Sequence, residues 1–179
     1  ITPMLRAAMD KGPIRLLLSA HGLPKKVIAR GDPYQWQVEQ TCAAVIAGLG
    51  KAGFKDLDWR VCYQSRVGPL EWIGPATEDE IVQAAEDGMG VVLAPIAFVS
   101  EHSETLVELD IDYRRLAESS GVREYVRVPT VGTQAEFIGG LASMTRKALA
   151  WPDAAARCGG EKDDRCCPDA LTACGYGST

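Results

Sequence analysis

The sequence predicts an α/β protein with an open, mostly parallel four-stranded sheet, helices on both faces and a cysteine-rich C-terminal tail. Short apolar runs alternate with helical patterns, in the order β-α-β-α-β-α-β-α. Residues 14–20 (IRLLLSA) are continuously apolar, which is typical of a strand buried on both faces. Residues 152–179 lack apolar periodicity and carry four of the six cysteines. We therefore expect an α/β unit over residues 1–151 and a separate tail over 152–179.

Local signals place the individual elements. Asp32 before Pro33 favours a helix start, because Asp caps a helix and Pro suits its first turn. Thr77 and Glu80 have the spacing of a capping box, and Gly121 suits a helix end. The expected elements are, in order, helix 2–12, strand 14–20, helix 33–50, strand 59–64, helix 77–87, strand 89–97, helix 103–120, strand 124–128 and helix 135–151.

Composition limits the classes of function. The chain has 179 residues, of which 46% are hydrophobic and 24% charged, so it is long enough for one globular core. Its formal net charge of −5 argues against a nucleic-acid partner held by a basic face. No apolar run approaches the length of a membrane span, and there is no signal-peptide pattern. The chain opens at Ile1 without a Met, which favours a processed chain or a fragment.

Both histidines of the sequence follow the carboxyl end of a predicted strand: His21 follows the first and His102 the third. In open α/β sheets, ligands bind at this edge. A neutral imidazole near pH 7 accepts protons or binds metal. The two equivalent positions favour a functional site, although hydrogen-bonded structural histidines remain the alternative.

Carboxylates recur beside His102, at Glu101, Glu104 and Glu108. Their spacing of three and four residues aligns them along one helix face. Such a column can relay protons or pass a divalent cation between oxygen ligands, or it can simply be a solvated face. A core-facing stripe is expected on the same helix at Leu106, Leu109, Tyr113 and Leu116.

Two further groups of residues are candidates for binding. Trp72 and Tyr63 can line an apolar pocket for a flat ligand, and core packing explains them as well. The tail holds Cys158, Cys166, Cys167 and Cys174 within 17 residues. In a cytosolic protein this density favours a metal or cluster site over disulfides.

Three motifs resemble the hallmark sequences of ferrochelatases. The first comprises residues 19–24 (SAHGLP) and 30–34 (RGDPY), and the second residues 64–69 (QSRVGP) and 72–75 (WIGP). The third is PIAFVSEH at 95–102, continued by ETL at 104–106 and ELD at 108–110. The match is colinear from about residue 14 to 150. Members of that family have two similar α/β lobes with porphyrin between them, and this chain resembles the second lobe.

The resemblance implies a chelatase-like fold and insertion of ferrous iron, as substrate, into a porphyrin in haem synthesis, without an organic cofactor. His21 would accept pyrrole protons, and His21 with Glu104 would meet the iron. His102 would flank the same cleft, and Glu108 would continue an acidic path for iron or protons. Trp72 would line the porphyrin pocket. Without the missing amino-terminal lobe, the chain would be inactive alone.

The tail also fits the resemblance, because some ferrochelatases carry a two-iron, two-sulfur cluster near the carboxyl terminus. Thiolates hold such clusters, and the four tail cysteines would supply them. Zinc and free thiols stay open. The resemblance further implies a cytoplasmic enzyme, with peripheral contact at the inner membrane as an open option.

Other functions remain as alternatives. The domain is either a chelatase lobe or a metal- or Fe–S-binding module without catalysis of its own. A chelatase for another tetrapyrrole, such as a cobalt-inserting one, is disfavoured by the second and third motifs. The sequence does not distinguish protoporphyrin from coproporphyrin, and it does not fix the oligomeric state.

Overall fold

Four parallel strands form one open sheet in the order β2-β1-β3-β4. The computed structural model describes residues 1–150 and 167–173. The first strand lies in the middle, and seven of its eight residues are buried, which explains its apolar sequence. The strands are β1 Ile14–His21, β2 Asp58–Gln64, β3 Gly90–Pro95 and β4 Tyr125–Arg127.

Helices cover both faces of the sheet, as expected. On one face α1 and α3 pack against Leu16 and Leu18, and on the other α4 and α6 pack against Leu17. Alternate β1 side chains thus enter two separate cores. The helices are α1 Thr2–Met9, α2 Lys25–Ile28, α3 Tyr34–Lys51, α4 Thr77–Glu86, α5 Ser103–Leu106, a π-helical turn Glu108–Asp112, α6 Tyr113–Ser120 and α7 Ala135–Ala150.

Strand register aligns the loops that carry the candidate residues. In the β1–β2 pair His21 lies opposite Gln64, and in the β1–β3 pair Ser19 lies opposite Pro95. Because all strands run in the same direction, the loops after β1, β2 and β3 leave the sheet at one edge. That edge is the place predicted for the site.

Two local expectations were wrong. The helix expected over residues 103–120 is divided into α5, the π-helical turn and α6. Thr77 does not cap α4: it is the first helical residue, Ala76 precedes it as the N-cap, and there is no side-chain cap hydrogen bond. The Thr77 hydroxyl instead lies 2.9 Å from Ser19 Oγ in the buried interior. The short helix α2 was not expected at all.

The helices within the described residues were also compared with the length and hydropathy of a membrane span. None of them is both long and apolar enough to cross a membrane.

Candidate active site

The central feature of the site is a close approach between His21 and Glu104. His21 Nε2 lies 3.6 Å from Glu104 Oε1, and the two side chains are 37% and 39% exposed. The His21 Nδ1 atom is 2.7 Å from the carbonyl oxygen of Gly22. Since that carbonyl can only accept, Nδ1 carries the proton, and the neutral ring has its lone pair on Nε2. Two acceptors therefore face one point at the surface, an arrangement that suits a proton or a cation.

The backbone of His21 is fixed from two sides. Tyr34 donates its hydroxyl to the His21 carbonyl at 2.8 Å. The next amide, of Gly22, donates to the Gln64 carbonyl at 2.8 Å. Burial, followed by the negative charge of Glu104, raises the pKa of Tyr34, so this hydroxyl keeps its proton as a donor. Tyr34 was not expected as a site residue, although it lies in the first motif.

Gln64 connects the segments that carry His21 and Glu104. Its side chain is fully buried. The amide Nε2 donates to the Glu104 carbonyl at 2.8 Å and to Glu108 Oε2 at 3.2 Å, and its Oε1 accepts from Ser19 Oγ at 2.9 Å. A polar residue at the end of an apolar strand was the available signal for this role. The Gln64 side chain thereby fixes the position of the Glu104 backbone relative to the end of β2.

Glu108 accepts hydrogen bonds on both carboxylate oxygens. Oε1 accepts from the Ser65 N–H at 2.7 Å and the Tyr113 hydroxyl at 2.9 Å. Oε2 accepts from Ser65 Oγ at 2.5 Å and from Gln64 Nε2 at 3.2 Å. A carboxylate has about four acceptor positions, so these donors occupy them all. Glu108 therefore lies beside the predicted site, as the acidic spacing indicates, but its carboxylate serves to hold the side chains that donate to it.

The anchored residues are themselves constrained. Ser65 has a φ of +59°, a conformation that costs free energy in a non-glycine residue. The two hydrogen bonds from Ser65 to Glu108 compensate this cost. Burial, then the negative charges of Glu108 and Glu78, raises the pKa of Tyr113, which keeps its hydroxyl protonated.

A π-helical turn begins at Glu108, directly after the segment that carries Glu104. The Val107 carbonyl accepts from the Ile111 N–H at 2.9 Å and from the Asp112 N–H at 3.0 Å. The second bond spans five residues, which is the mark of a π turn, and such turns are frequent at functional sites. Arg127 holds the turn by donating to Asp110 Oδ1 at 2.8 Å and to Oδ2 at 2.5 Å.

His102 begins α5 and caps it. Its Nδ1 accepts the Glu104 N–H at 3.2 Å, while the His102 N–H donates to Thr105 Oγ1 at 3.0 Å. The ring lies 5.1 Å from the Phe98 ring. With Nδ1 used as an acceptor, the neutral ring carries its proton on Nε2. His102 thus orients Glu104, and the residue is exposed.

Glu101 differs from the other two acids of the column. It accepts from Arg127 Nη1 at 2.6 Å and from the Thr130 N–H at 3.0 Å. Burial opposes ionisation, but contacts with Thr105, the Thr130 N–H and Arg127 outweigh it and lower the pKa of Glu101 to about 2. This carboxylate therefore joins the loop after β3 to the end of β4.

The two aromatic candidates are in different environments. Tyr63 is 1% exposed and belongs to the core that packs on α3, so core packing accounts for it. Trp72 is half-buried over the loop after β1: a Cβ on Gly22 would lie 3.4 Å from its ring and 3.1 Å from Arg66 Cγ. Trp72 therefore borders the His21 loop.

Most of the predicted cysteine site of the tail lies outside the described residues. Cys158, Cys166 and Cys174 are not among them, and Cys167 is 5% exposed. Within residues 1–150 and 167–173, no group of three or more His, Cys, Asp or Glu side chains is arranged to hold a metal ion.

Comparison with known proteins agrees with the motifs. A family model described as Ferrochelatase matches residues 2–149. The chain is 56% identical over 150 residues to the ferrochelatase of Caulobacter vibrioides, covering 82% of this chain and 42% of that protein. For the ferrochelatase of Pelagibacter ubique, the identity is 50% over 144 residues, covering 80% and 41%. The chain thus spans about two fifths of the length of these curated relatives.

Similarity to a solved structure is weaker. A crystal structure of a protein assigned to cobalamin (vitamin B12) biosynthesis, CbiX from Marinobacter aquaeolei, has a TM-score of 0.49 and 14% sequence identity, covering 77% of this chain and 98% of that one.

Proposed function

We propose, because the chain belongs to the ferrochelatase family, that the protein inserts ferrous iron into a porphyrin in haem synthesis. The observation that carries the proposal is the approach of His21 Nε2 to Glu104 Oε1 at 3.6 Å on an accessible edge. Metal insertion releases the protons of two pyrrole N–H groups, and a neutral imidazole is a suitable acceptor. Carboxylate oxygen suits a divalent cation, so iron and proton can be handled at one point.

In this proposal His21 takes a pyrrole proton on Nε2, and Glu104 stabilises the resulting imidazolium and attracts the incoming iron. Since iron and porphyrin are both substrates, the residues must hold their positions before either binds. Gln64 fixes the Glu104 backbone, and Glu108 fixes Gln64 and Ser65. In this proposal Glu108 positions its neighbours and does not bind iron on its path to the porphyrin. His102 orients Glu104, and Trp72 borders the face that the macrocycle would cover.

The test is iron insertion by the longer protein that carries this chain. His21→Ala and Glu104→Gln should each reduce the turnover rate at least 100-fold, in line with loss of a general base or an electrostatic partner. Glu118→Gln is the matched control, because Glu118 is an exposed carboxylate on α6. Circular dichroism should show unchanged folding. Full activity in the His21→Ala protein would refute the role of His21.

We further propose that this lobe is inactive alone and acts with an amino-terminal lobe. The chain covers 42% of the length of the Caulobacter vibrioides relative, which leaves room for another lobe. A lyase assay comparing the 179-residue chain with the longer protein tests this, and equal turnover in both would refute it.

Cell fractionation would test the expected cytoplasmic location and any peripheral membrane contact.

We also propose that the tail cysteines hold a two-iron, two-sulfur cluster. The support is the thiolate chemistry of Cys158, Cys166, Cys167 and Cys174 and the burial of Cys167. Iron and acid-labile sulfide analysis of anaerobically purified protein, with a visible spectrum, is the test. Two irons and two sulfides per chain would support the cluster, and their absence would favour zinc or free thiols.

A further inference from the structure

The described part of the tail, residues 167–173, lies on the connection between α2 and α3. The Ala173 N–H donates to the carbonyl of Gly31 at 3.1 Å. Gly31 is buried, although it lies in a short connection between two helices. Cys167 is also buried, and Leu171 is half-buried. The segment therefore contacts the connection at its C-terminal end, and its first residue is buried.

The contact at Gly31 leaves no room for a side chain. A Cβ atom there would lie 2.6 Å from Thr172 Oγ1 and 2.7 Å from the Thr172 backbone nitrogen. Gly31 also has a φ of +88°, which a residue with a Cβ rarely adopts. The backbones of the tail and of the connection thus approach as closely as only glycine permits.

The same connection holds the His21 backbone. The Gly31 N–H closes α2 by donating to the Ile28 carbonyl at 2.8 Å. The next residue, Asp32, accepts the Tyr34 N–H at 2.9 Å on its carboxylate. Tyr34 then donates its hydroxyl to the His21 carbonyl at 2.8 Å. Displacing the connection would therefore move the group that fixes His21.

We propose that residues 167–173 form a clasp that holds the α2–α3 connection and, through Tyr34, keeps His21 in position. The clasp is bounded by two tail cysteines, Cys167 at its start and Cys174 immediately after Ala173. A change in the state of these thiols therefore acts on the ends of the clasp. The effect on catalysis rests on the proposed role of His21, whereas the docking itself does not.

The opposing free energies of ordering and contact nearly cancel in such a clasp, so its docking responds to changes at the tail. The entropic cost of ordering a backbone residue is at least as large as the net stabilisation from a single hydrogen bond. Burial of Cys167 and Leu171 must provide the rest. Segments held by such a small difference open locally without global unfolding, so modest changes at the tail can release them.

Amide hydrogen exchange over residues 22–34 tests the clasp in the 179-residue chain. The variants are a chain ending at residue 166 and Ala173→Pro, which removes the donor to Gly31. Ala170→Ser is the control, because Ala170 is exposed in the same segment. We expect at least tenfold faster exchange in both variants, with unchanged exchange in β1 and β3 and no effect of the control. Rates within twofold of the parent chain would overturn the proposal.

Gly31→Ala provides a second test through non-additivity. In the full chain, Gly31→Ala places a Cβ atom against Thr172 and also puts a non-glycine residue at an unfavourable φ. In the chain that ends at residue 166, only the unfavourable φ remains. The increase in exchange caused by Gly31→Ala should be at least threefold larger in the full chain. Equal increases in both chains would contradict a close contact at Thr172.

Nuclear magnetic resonance of the two histidine rings distinguishes positioning of His21 from general stabilisation. The ring nitrogen signals of His21 should shift in the chain ending at residue 166, whereas those of His102 should not. A chain in which neither ring responds would overturn the link to His21. These measurements need neither porphyrin nor iron, so they decide the clasp even if the proposed reaction is wrong.

Discussion

At the scale of single residues, the Glu108 carboxylate shows how the site is held before any substrate binds. It accepts from Ser65 twice, from Gln64 and from Tyr113. Of these partners, Ser65 has a positive φ and Gln64 donates to the Glu104 carbonyl. Removing charge at this position therefore affects positions that Glu108 does not contact directly.

This arrangement predicts different costs for two substitutions. Tyr113→Phe removes one donor to a charged group and should lower the free energy of unfolding by about 2 kcal/mol. Glu108→Gln should cost about 3 kcal/mol or more, because its amide N–H groups would face the donors of Ser65 or Tyr113. Urea unfolding measures both, with Glu118→Gln as the exposed control. A smaller loss for Glu108→Gln than for Tyr113→Phe would contradict the four-donor network.

Glu101 gives a prediction for pH dependence. Its pKa is lowered from the ordinary 4.5 of a glutamate to about 2 in the folded chain. A carboxyl group whose pKa is lower in the folded state contributes stability above its unfolded pKa and loses it as the pH falls through the folded value. The stability difference between the parent and Glu101→Gln should therefore be complete at pH 6 and shrink between about pH 4.5 and 2. Thermal unfolding across that range measures it, and a pH-independent difference would contradict the prediction.

The sequence places the candidate residues better than it assigns their roles. His21, His102 and Glu104 were expected at the carboxyl edge of the sheet because apolar strands end just before two of them, and the structure brings His21 and Glu104 together. The filled acceptor positions of Glu108 could not be predicted, since three of its four hydrogen bonds come from Gln64 and Ser65 at the distant end of β2. The sequence pattern around Tyr63 is typical of a strand, but it does not distinguish a residue of the core from one that lines a pocket.

At the scale of elements, the π-helical turn is the largest departure from the predicted helix over residues 103–120. Apolar spacing alone suits one continuous helix, with Leu106 facing inward. In the structure Leu106 is 47% exposed and Leu109 fully buried. The buried positions are Thr105, Leu109, Tyr113 and Ala117. A repeat of four exceeds the 3.6 residues of an α-helical turn, which explains why the predicted stripe is confirmed at Leu109 and Tyr113 but is wrong at Leu106.

Arg127 is expected to be essential to this turn. It is 10% exposed and pairs with Asp110 and Glu101. Lysine cannot reproduce the two-pronged geometry of the guanidinium, so Arg127→Lys should lower the free energy of unfolding by about 2 kcal/mol. The expected loss of stability is smaller than for a fully buried ion pair, because the carboxylates of Glu101 and Asp110 are 32% and 30% exposed. Chemical unfolding measures the loss, and Arg115→Lys on the exposed face of α6 is the control. Equal stability of the two variants would show that Arg127 does not hold the turn.

At the scale of the whole molecule, continuous apolar strands and intervening helices were sufficient to predict a parallel sheet with two covered faces. The pattern does not contain the strand order β2-β1-β3-β4, which depends on where each crossover helix packs. The role of α7 was also not predictable. Its apolar spacing indicates a packed face, yet none of its residues is buried.

The exposed stripe on α7 gives the last prediction. Ile138 and Leu141 are 45% and 44% exposed, and Leu149 is 78% exposed. Apolar helix faces of this kind mark interaction surfaces. Since the chain covers about two fifths of its relatives' length, we expect the proposed amino-terminal lobe to cover this stripe in the longer protein.

Leu141→Asp should therefore change the stability of the 179-residue chain by no more than about 0.5 kcal/mol, as for a surface position. In the longer protein it should cost about 2 kcal/mol or more, because the side chain would be buried there against the other lobe. Lys147→Asp, on the opposite side of α7, is the control in both contexts. Thermal unfolding compares the four proteins. A loss of the same size in the short chain and the longer protein would mean that α7 packs within this lobe, and that the first lobe docks on a different surface.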